Sequence, residues 1–280
     1  MKLSMMSYTL ARAKDFDLNR MCELTNELKL AGVDMVTTYE KKPQEIRRML
    51  DQHGLKTICY TFFVDLILPD TAGRQAGVDT LRQGIETAVI LGTDKVMIPT
   101  PGKKNVSRDL ARRYIIRGLQ EALVVARQAG VTLTLENFSG AGSPFVISSD
   151  MLEAIREVPG LRITFDNGNV LLGGEDPAAS FERCVPHVVH AHFKDWVRAA
   201  RGQGSEGLDG RWYKAALIGE GLVDHKACLQ AMKQAGYSGY INIEYEGNDY
   251  NPEEATRKAA KYLQPIICGC NNNNNNTEGD

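Results

Sequence analysis

Four residues have the types and spacing to do chemistry together: Glu136, Asp166, His192 and Glu244. Each closes a short apolar run, reading Val131-Thr-Leu-Thr-Leu-Glu136, Arg162-Ile-Thr-Phe-Asp166, Val188-Val-His190-Ala-His192 and Tyr240-Ile-Asn-Ile-Glu244. A charged group that follows an apolar run is costly when it points inward without a partner. Four such groups meeting at one place would repel one another unless something neutralised them. A divalent cation held by three carboxylates and one imidazole does so, and an oxygen-rich set favours Mn²⁺ or Mg²⁺, with Co²⁺ as a further option, over a closed structural zinc site. His190 and His192 are two apart and face the same side of a strand. His192 lies nearer the strand's end and is taken as the ligand, with His190 deeper. Glu244 and Glu246 pose the same choice, and Glu246 is assigned to the loop.

Converging side chains need elements that bring strand ends to one place. Short apolar runs alternate along the chain with amphipathic stretches, often with a Gly at the junction. The strand candidates are Leu3–Tyr8, Val33–Thr38, Lys56–Phe62, Lys95–Pro99, Val131–Phe138, Arg162–Asp166, Val188–Lys194 and Tyr240–Glu244. Between and after them come helix candidates at Leu18–Leu30, Pro43–His53, Thr80–Leu91, Arg108–Ala129, Met151–Val158, Pro177–Cys184, Asp224–Ala235 and Pro252–Leu263. Eight strand–helix units predict an α/β fold, a single (β/α)8 TIM barrel whose chemistry sits at the C-terminal ends of the strands. A doubly wound open sheet would more often carry a glycine fingerprint after the first strand, and Thr9-Leu10-Ala11-Arg12-Ala13 has none. The candidate ligands are separated by 30, 26 and 52 residues. The first two spacings are one unit each, and the third is one unit plus an insertion over Trp196–Lys226. The barrel domain is expected over 1–270, with a disordered Asn-rich tail over 271–280.

Composition excludes several function classes. The 280 residues carry 33 Lys+Arg against 35 Asp+Glu, a net charge of −2, which argues against a nucleic-acid coat. No apolar run approaches the ~20 residues of a membrane helix, and the N-terminus lacks a signal-peptide pattern. The six cysteines are scattered, and Cys268-Gly-Cys270 lacks the spacer of common zinc and redox pairs. Reduced, packed thiols in a cytoplasmic protein are the expectation. Whether the chain forms a homo-oligomer is left open by the sequence.

From Leu3 to about Ile267 the sequence resembles the sugar isomerase/epimerase group of the xylose-isomerase-like barrels, relatives of tagatose and psicose 3-epimerases. The motifs carrying the resemblance are Leu135-Glu136-Asn137, Phe165-Asp166-Asn167-Gly168-Asn169, His190-Ala-His192-Phe-Lys194-Asp195, Ile218-Gly219-Glu220-Gly221-Leu-Val-Asp224 and Ile243-Glu244-Tyr245-Glu246. The resemblance implies one divalent metal on Glu136, Asp166, His192 and Glu244, with Mn²⁺ expected first and Mg²⁺, Co²⁺ or Zn²⁺ as alternatives. It also implies that Glu136 and Glu244 act as acid and base on a sugar, sugar phosphate or related hydroxy-ketone. Expected substrate contacts are Asn169, Arg198, Lys194 and His190. Asn169 departs from the family pattern, where ketose 3-epimerases carry His, and Ser139-Gly140-Ala141-Gly142-Ser143 replaces a segment with a second Glu.

Three alternatives stay open. A dehydratase of the inosose or dehydroshikimate type would expel a β-hydroxyl from the same intermediate. An endonuclease IV-like enzyme would need more histidines than the five present. A sugar-binding barrel would keep the metal for structure alone. Lys103, Lys104 and Arg108 are a candidate anion site or a solvated basic turn. Trp212 and Tyr213 are a candidate lid or packing residues.

Overall fold

The computed structural model describes residues 1–269. Seven parallel strands follow one another around a barrel: β1 (Lys2–Met6), β2 (Val33–Val36), β3 (Thr57–Thr61), β4 (Lys95–Ile98), β5 (Thr132–Glu136), β6 (Arg162–Asp166) and β7 (Val188–Phe193). The insertion then forms a small antiparallel sheet from β8 (Asp195–Ala199), β9 (Ser205–Glu206) and β10 (Trp212–Ala216). The last barrel strand, β11 (Tyr240–Ile243), pairs with β7 on one side and β1 on the other, closing the eight-stranded cylinder. Every residue of β2 and β3 is buried, as expected for parallel strands covered on both faces. The (β/α)8 barrel expected from the alternation is the observed architecture.

The helices form where capping and apolar spacing agree. Asp17 caps α2 (Leu18–Glu27), accepting from the Arg20 amide at 2.8 Å. α3 (Pro43–Gln52) starts with Pro at its first position, where no amide donor is needed. Ser107 caps α5 (Arg108–Gln128), Asp176 caps α8 (Pro177–Cys184) and Asp224 caps α9 (His225–Gln234). α6 (Ser148–Glu157) lies near its expected place. Two short helices at strand ends, α1 (Ser7–Ala11) and α7 (Asn167–Leu172), were not foreseen.

Two helices run longer than the pattern predicted. α4 (Thr71–Leu91) begins nine residues before the expected Thr80, because Asp70 caps it by accepting from Gly73 at 2.7 Å. Its glycines disguised it. Gly77 lies so close to the Asp65 carbonyl that a Cβ there would fall 2.9 Å from its oxygen, so a residue that weakens the helical signal is what allows the helix to seat. α10 (Pro252–Gly269) continues past Leu263 through Pro265, and Leu263 and Ile267, four apart, stay buried against the core. The Asn-rich tail and Cys270 lie outside the described residues. Of the described cysteines, Cys22, Cys59, Cys184 and Cys228 are buried free thiols and Cys268 is an exposed one. Among the described residues no helix is long and apolar enough to cross a membrane.

The insertion is fastened by one side chain. Asp195 Oδ1 accepts from the amides of Trp196 (2.9 Å) and Val223 (3.0 Å), and Oδ2 from those of Gly219 and Gly221 (both 3.0 Å). His225 Nε2 lies 3.2 Å from Oδ2, while its Nδ1 meets Asn167 Nδ2 at 3.0 Å. A Cβ on Gly221 would fall 2.1 Å from Asp195 Oδ1, which is why the Gly219-Glu220-Gly221 turn carries glycine there. Burial alone would raise the Asp195 carboxyl, but His225 and these amides hold it below the usual range. We predict that Asp195→Ala costs about 3 kcal/mol of stability, the scale of losing several hydrogen bonds to one buried charge. A lower urea midpoint at unchanged denaturant slope is the expected result; an unshifted midpoint would show the insertion to be held by other contacts.

Candidate metal centre

β5, β6, β7 and β11 are consecutive neighbours in the closed sheet. Glu136 ends β5, Asp166 ends β6, His192 is one residue from the end of β7, and Glu244 follows the last residue of β11. The four side chains thus rise from four adjacent strands at the same height. One ligand atom from each lies within 4.8 Å of all the others, and all four residues are buried. His192 Nδ1 is 2.7 Å from Glu136 Oε1 and 3.6 Å from Glu244 Oε2. Asn137 ties the first two strands together, donating to the Asp166 carbonyl (2.7 Å) and accepting from the Asp166 amide (2.8 Å). Asp166 Oδ1 caps α7 through the Asn169 amide at 2.7 Å.

Buried negative charge exceeds the positive charge that meets it. Lys194 Nζ lies 3.1 Å from Glu244 Oε2, 3.4 Å from Asp166 Oδ2 and 3.7 Å from Glu246 Oε2. One ammonium therefore faces the carboxyls of Asp166, Glu244 and Glu246, with Glu136 beside them. Asp166 Oδ2 and Glu244 Oε2 are buried with no hydrogen-bond partner, a costly state for a carboxylate oxygen. Two orphaned oxygens, a third carboxylate and an imidazole nitrogen within one small sphere fit a divalent cation. The ionisation of the cluster points the same way. Burial, with Glu136 and Glu244 adding to it against Lys194, pushes the Asp166 carboxyl up to about 8. Burial works against the charged forms of His192 and Lys194, but the surrounding carboxylates outweigh it and raise both well above their ordinary ranges.

A residue missed by sequence reasoning orients the histidine. Asp34, in the middle of β2 and 1 % exposed, places Oδ2 2.5 Å from His190 Nε2 and 3.3 Å from His192 Nε2. With Nε2 engaged by Asp34, His192 turns Nδ1 toward the carboxylates, the arrangement by which a second carboxylate fixes a ligating imidazole. Burial alone would raise Asp34, but the two imidazoles hold its carboxyl down at about 2. The signal was present in the sequence: Val33-Asp34-Met35-Val36 carries a charge inside an apolar strand.

Of the residues expected to touch substrate, only Lys194 lines the cavity beside the cluster, a space of about 230 Å³ that Glu136, His192, Glu244 and Glu246 also line. His190 is fully buried behind His192 as the partner of Asp34. Asn169 is fully buried in α7, donating to the Asn137 carbonyl at 3.0 Å. Arg198 is carried away by the insertion sheet. It pairs with Asp209 at 3.4 Å, stacks 4.3 Å over the Tyr213 ring and lines a different cavity. Tyr213 packs with Trp196 and Leu172 and does not line the metal-side cavity, so of its two candidate roles, lid and packing, it takes packing. In the basic turn, Lys103 pairs with Asp65 at 2.5 Å, and Arg108 with Asp150 at 2.6 Å.

The model of the xylose isomerase-like TIM barrel family matches residues 22–266. The chain belongs to that family. An inosose dehydratase of Lacticaseibacillus casei is 26% identical over 267 residues, 86% of this chain and 88% of that protein. Among solved structures, the fold is similar to an L-ribulose 3-epimerase (TM-score 0.80, 14% identity, 99% of both chains). It is also similar to the IolI protein with a bound zinc atom (TM-score 0.78, 18% identity, 96% of this chain and 99% of that one).

Two predictions concern metal affinity in this xylose isomerase-like barrel. Asp166 is raised to about 8, so below that pH it holds a proton that a cation must displace. His192, raised well above its ordinary range, must also shed a proton before it can ligate, so affinity for Mn²⁺ is expected to rise with pH by roughly tenfold to a hundredfold per unit between pH 6 and 8. Calorimetric titration at three pH values checks the slope, and pH-independent binding would contradict it. Asp34→Asn keeps the side chain's shape and is expected to weaken Mn²⁺ binding by about 10–100-fold, measured by the same titration.

Proposed function

We propose that this chain is a divalent-metal-dependent sugar isomerase or epimerase. It moves a proton on a small polyhydroxy ketone through an enediolate. The observation that carries this reading is the arc of Glu136, Asp166, His192 and Glu244 on four neighbouring strands, opening on one cavity. When bound, the ion polarises a carbonyl as a Lewis acid and supplies charge that offsets a developing oxyanion. Mn²⁺ is the ion proposed, with Mg²⁺, Co²⁺ and Zn²⁺ as alternatives, and the IolI structure is a neighbour with zinc.

The chain's own residues do the rest. Glu136 and Glu244 stand at the two ends of the arc, because β6 and β7 lie between β5 and β11. A ketone lodged between them meets one carboxylate from each side. One takes the proton next to the carbonyl; the other returns a proton, to the same carbon for epimerisation or to its neighbour for isomerisation. Lys194, held protonated by the carboxylates around it, donates hydrogen bonds to substrate oxygens. The free thiols of the described residues fit a reducing, cytoplasmic setting.

A second reading, loss of a β-hydroxyl as water from the same enediolate to give a conjugated enone, is favoured by the inosose dehydratase relative. Enone absorbance in the near ultraviolet separates the two outcomes.

The test is solvent deuterium exchange. The Mn²⁺-loaded protein, screened against ketoses, keto-acids and cyclitols in heavy water, is expected to place deuterium next to a carbonyl. Glu136→Gln should abolish this by at least about 1,000-fold with an unchanged circular-dichroism spectrum. Exchange at the wild-type rate in that variant would remove Glu136 from the chemistry.

A further inference from the structure

The cavity beside the metal cluster has two unlike halves. Its charged half comes from β5, β7, β11 and the segments just after them: Glu136, His192, Lys194, Glu244 and Glu246, with Phe138 and Ser139 beside Glu136. Its other half comes from the ends of β1 to β4: Met6, Tyr8, Val36, Thr61, Phe63, Met97 and Pro99, with neither a cation nor a carboxylate. Tyr8 is 39% and Phe63 59% exposed, and among the described residues they are the only aromatic members of the exposed large hydrophobics. Exposed rings at a cavity mouth offer a flat apolar surface to the C–H face of a ligand.

Lys194, the one cation among the described lining residues, is shared among carboxylates, and four basic residues that do not line the cavity are paired. Lys194 serves Asp166, Glu244 and Glu246. Lys103 binds Asp65 and the Ile67 carbonyl, and Arg108 binds Asp150 and the Ser143 carbonyl. Arg12 donates to Asn248 Oδ1 at 2.7 Å, and Arg198 pairs with Asp209. Among the described lining residues, three glutamates face one lysine. With a divalent ion in place, the four carboxylates of Glu136, Asp166, Glu244 and Glu246 still exceed by one the combined charge of the ion and Lys194; a phosphate monoester would meet that surplus on one side and apolar carbon on the other, which is discrimination by repulsion as much as by fit. The volume of about 230 Å³ lies below the roughly 300–1,000 Å³ of sites for drug-sized ligands, which suits one small polyol.

Resting on the enolisation reading above, we propose that the site selects an uncharged polyhydroxy ketone and rejects its phosphate esters. The ketone's vicinal oxygens face the carboxylate–imidazole arc. Its carbon face lies against Phe63 and Tyr8.

Calorimetry on the Mn²⁺-loaded protein tests this with matched pairs, each an unphosphorylated ketose or cyclic keto-polyol and its monophosphate ester. The uncharged members are expected to bind at least tenfold more tightly than their esters. Phe63→Lys, at an exposed position, should narrow that gap at least fivefold while Mn²⁺ affinity stays as in the wild type. Equal or tighter binding of an ester, failure of every uncharged member to bind, or an unchanged gap in the variant would overturn the proposal. Deuterium exchange separates the two levels of inference. Exchange on a phosphate ester overturns selectivity and leaves enolisation standing, whereas tight binding of an uncharged ketone without exchange in any ligand does the reverse.

Discussion

Carboxylates crowded into a buried space cannot all keep their charge without a cation among them. Glu136, Asp166 and Glu244 lie within 4.8 Å of one another and of His192, with Glu246 close behind and a single lysine for relief. Glu136, Asp166, His192 and Glu244 are each 0–5% exposed, so water cannot screen the repulsion among them. Asp166 shows the consequence by holding its proton into the neutral range. A divalent ion removes the conflict and employs the two orphaned oxygens. The fold sets up this tension by ending four neighbouring strands in ligand groups.

Other features of the molecule keep that arrangement in place. Asp34 reaches from β2 to His192 and fixes which nitrogen meets the carboxylates. Asn137 locks β5 to β6 at the level of Asp166. Asp195, immediately after Lys194, gathers the returning insertion through four backbone amides and His225. These supports are buried and polar, and most have their hydrogen bonds met, which holds a site more rigidly than apolar packing alone. β1 to β4, which carry none of the four candidate ligands, supply the apolar side of the cavity.

Much of this was legible in the sequence because a barrel repeats one physical arrangement. The alternation of buried runs and amphipathic helices pointed to the eight units, and the polar residue closing each of four consecutive late strands pointed to the candidate cluster that the fold brings together. Residues whose role depends on contacts between distant strands were not legible in the same way. Asp34 lies 158 positions from His192, and only the closed sheet brings them together. Arg198 is an expected substrate contact, but the chain after His192 turns into an antiparallel sheet that carries the guanidinium to Asp209. The start of α4 was hidden because Gly73 and Gly77 weaken helical propensity locally, while close packing against the Asp65 carbonyl requires Gly77.

The most direct test is the position of the ion itself. A crystal of the Mn²⁺-loaded protein, with anomalous scattering recorded at the manganese edge, should show one peak within roughly 2.0–2.3 Å of an atom from each of Glu136, Asp166, His192 and Glu244, with Lys194 Nζ outside the coordination sphere. Density at Lys194 Nζ filling the space between the carboxylates, with manganese absent or bound elsewhere, would contradict the metal centre and the chemistry assigned to it.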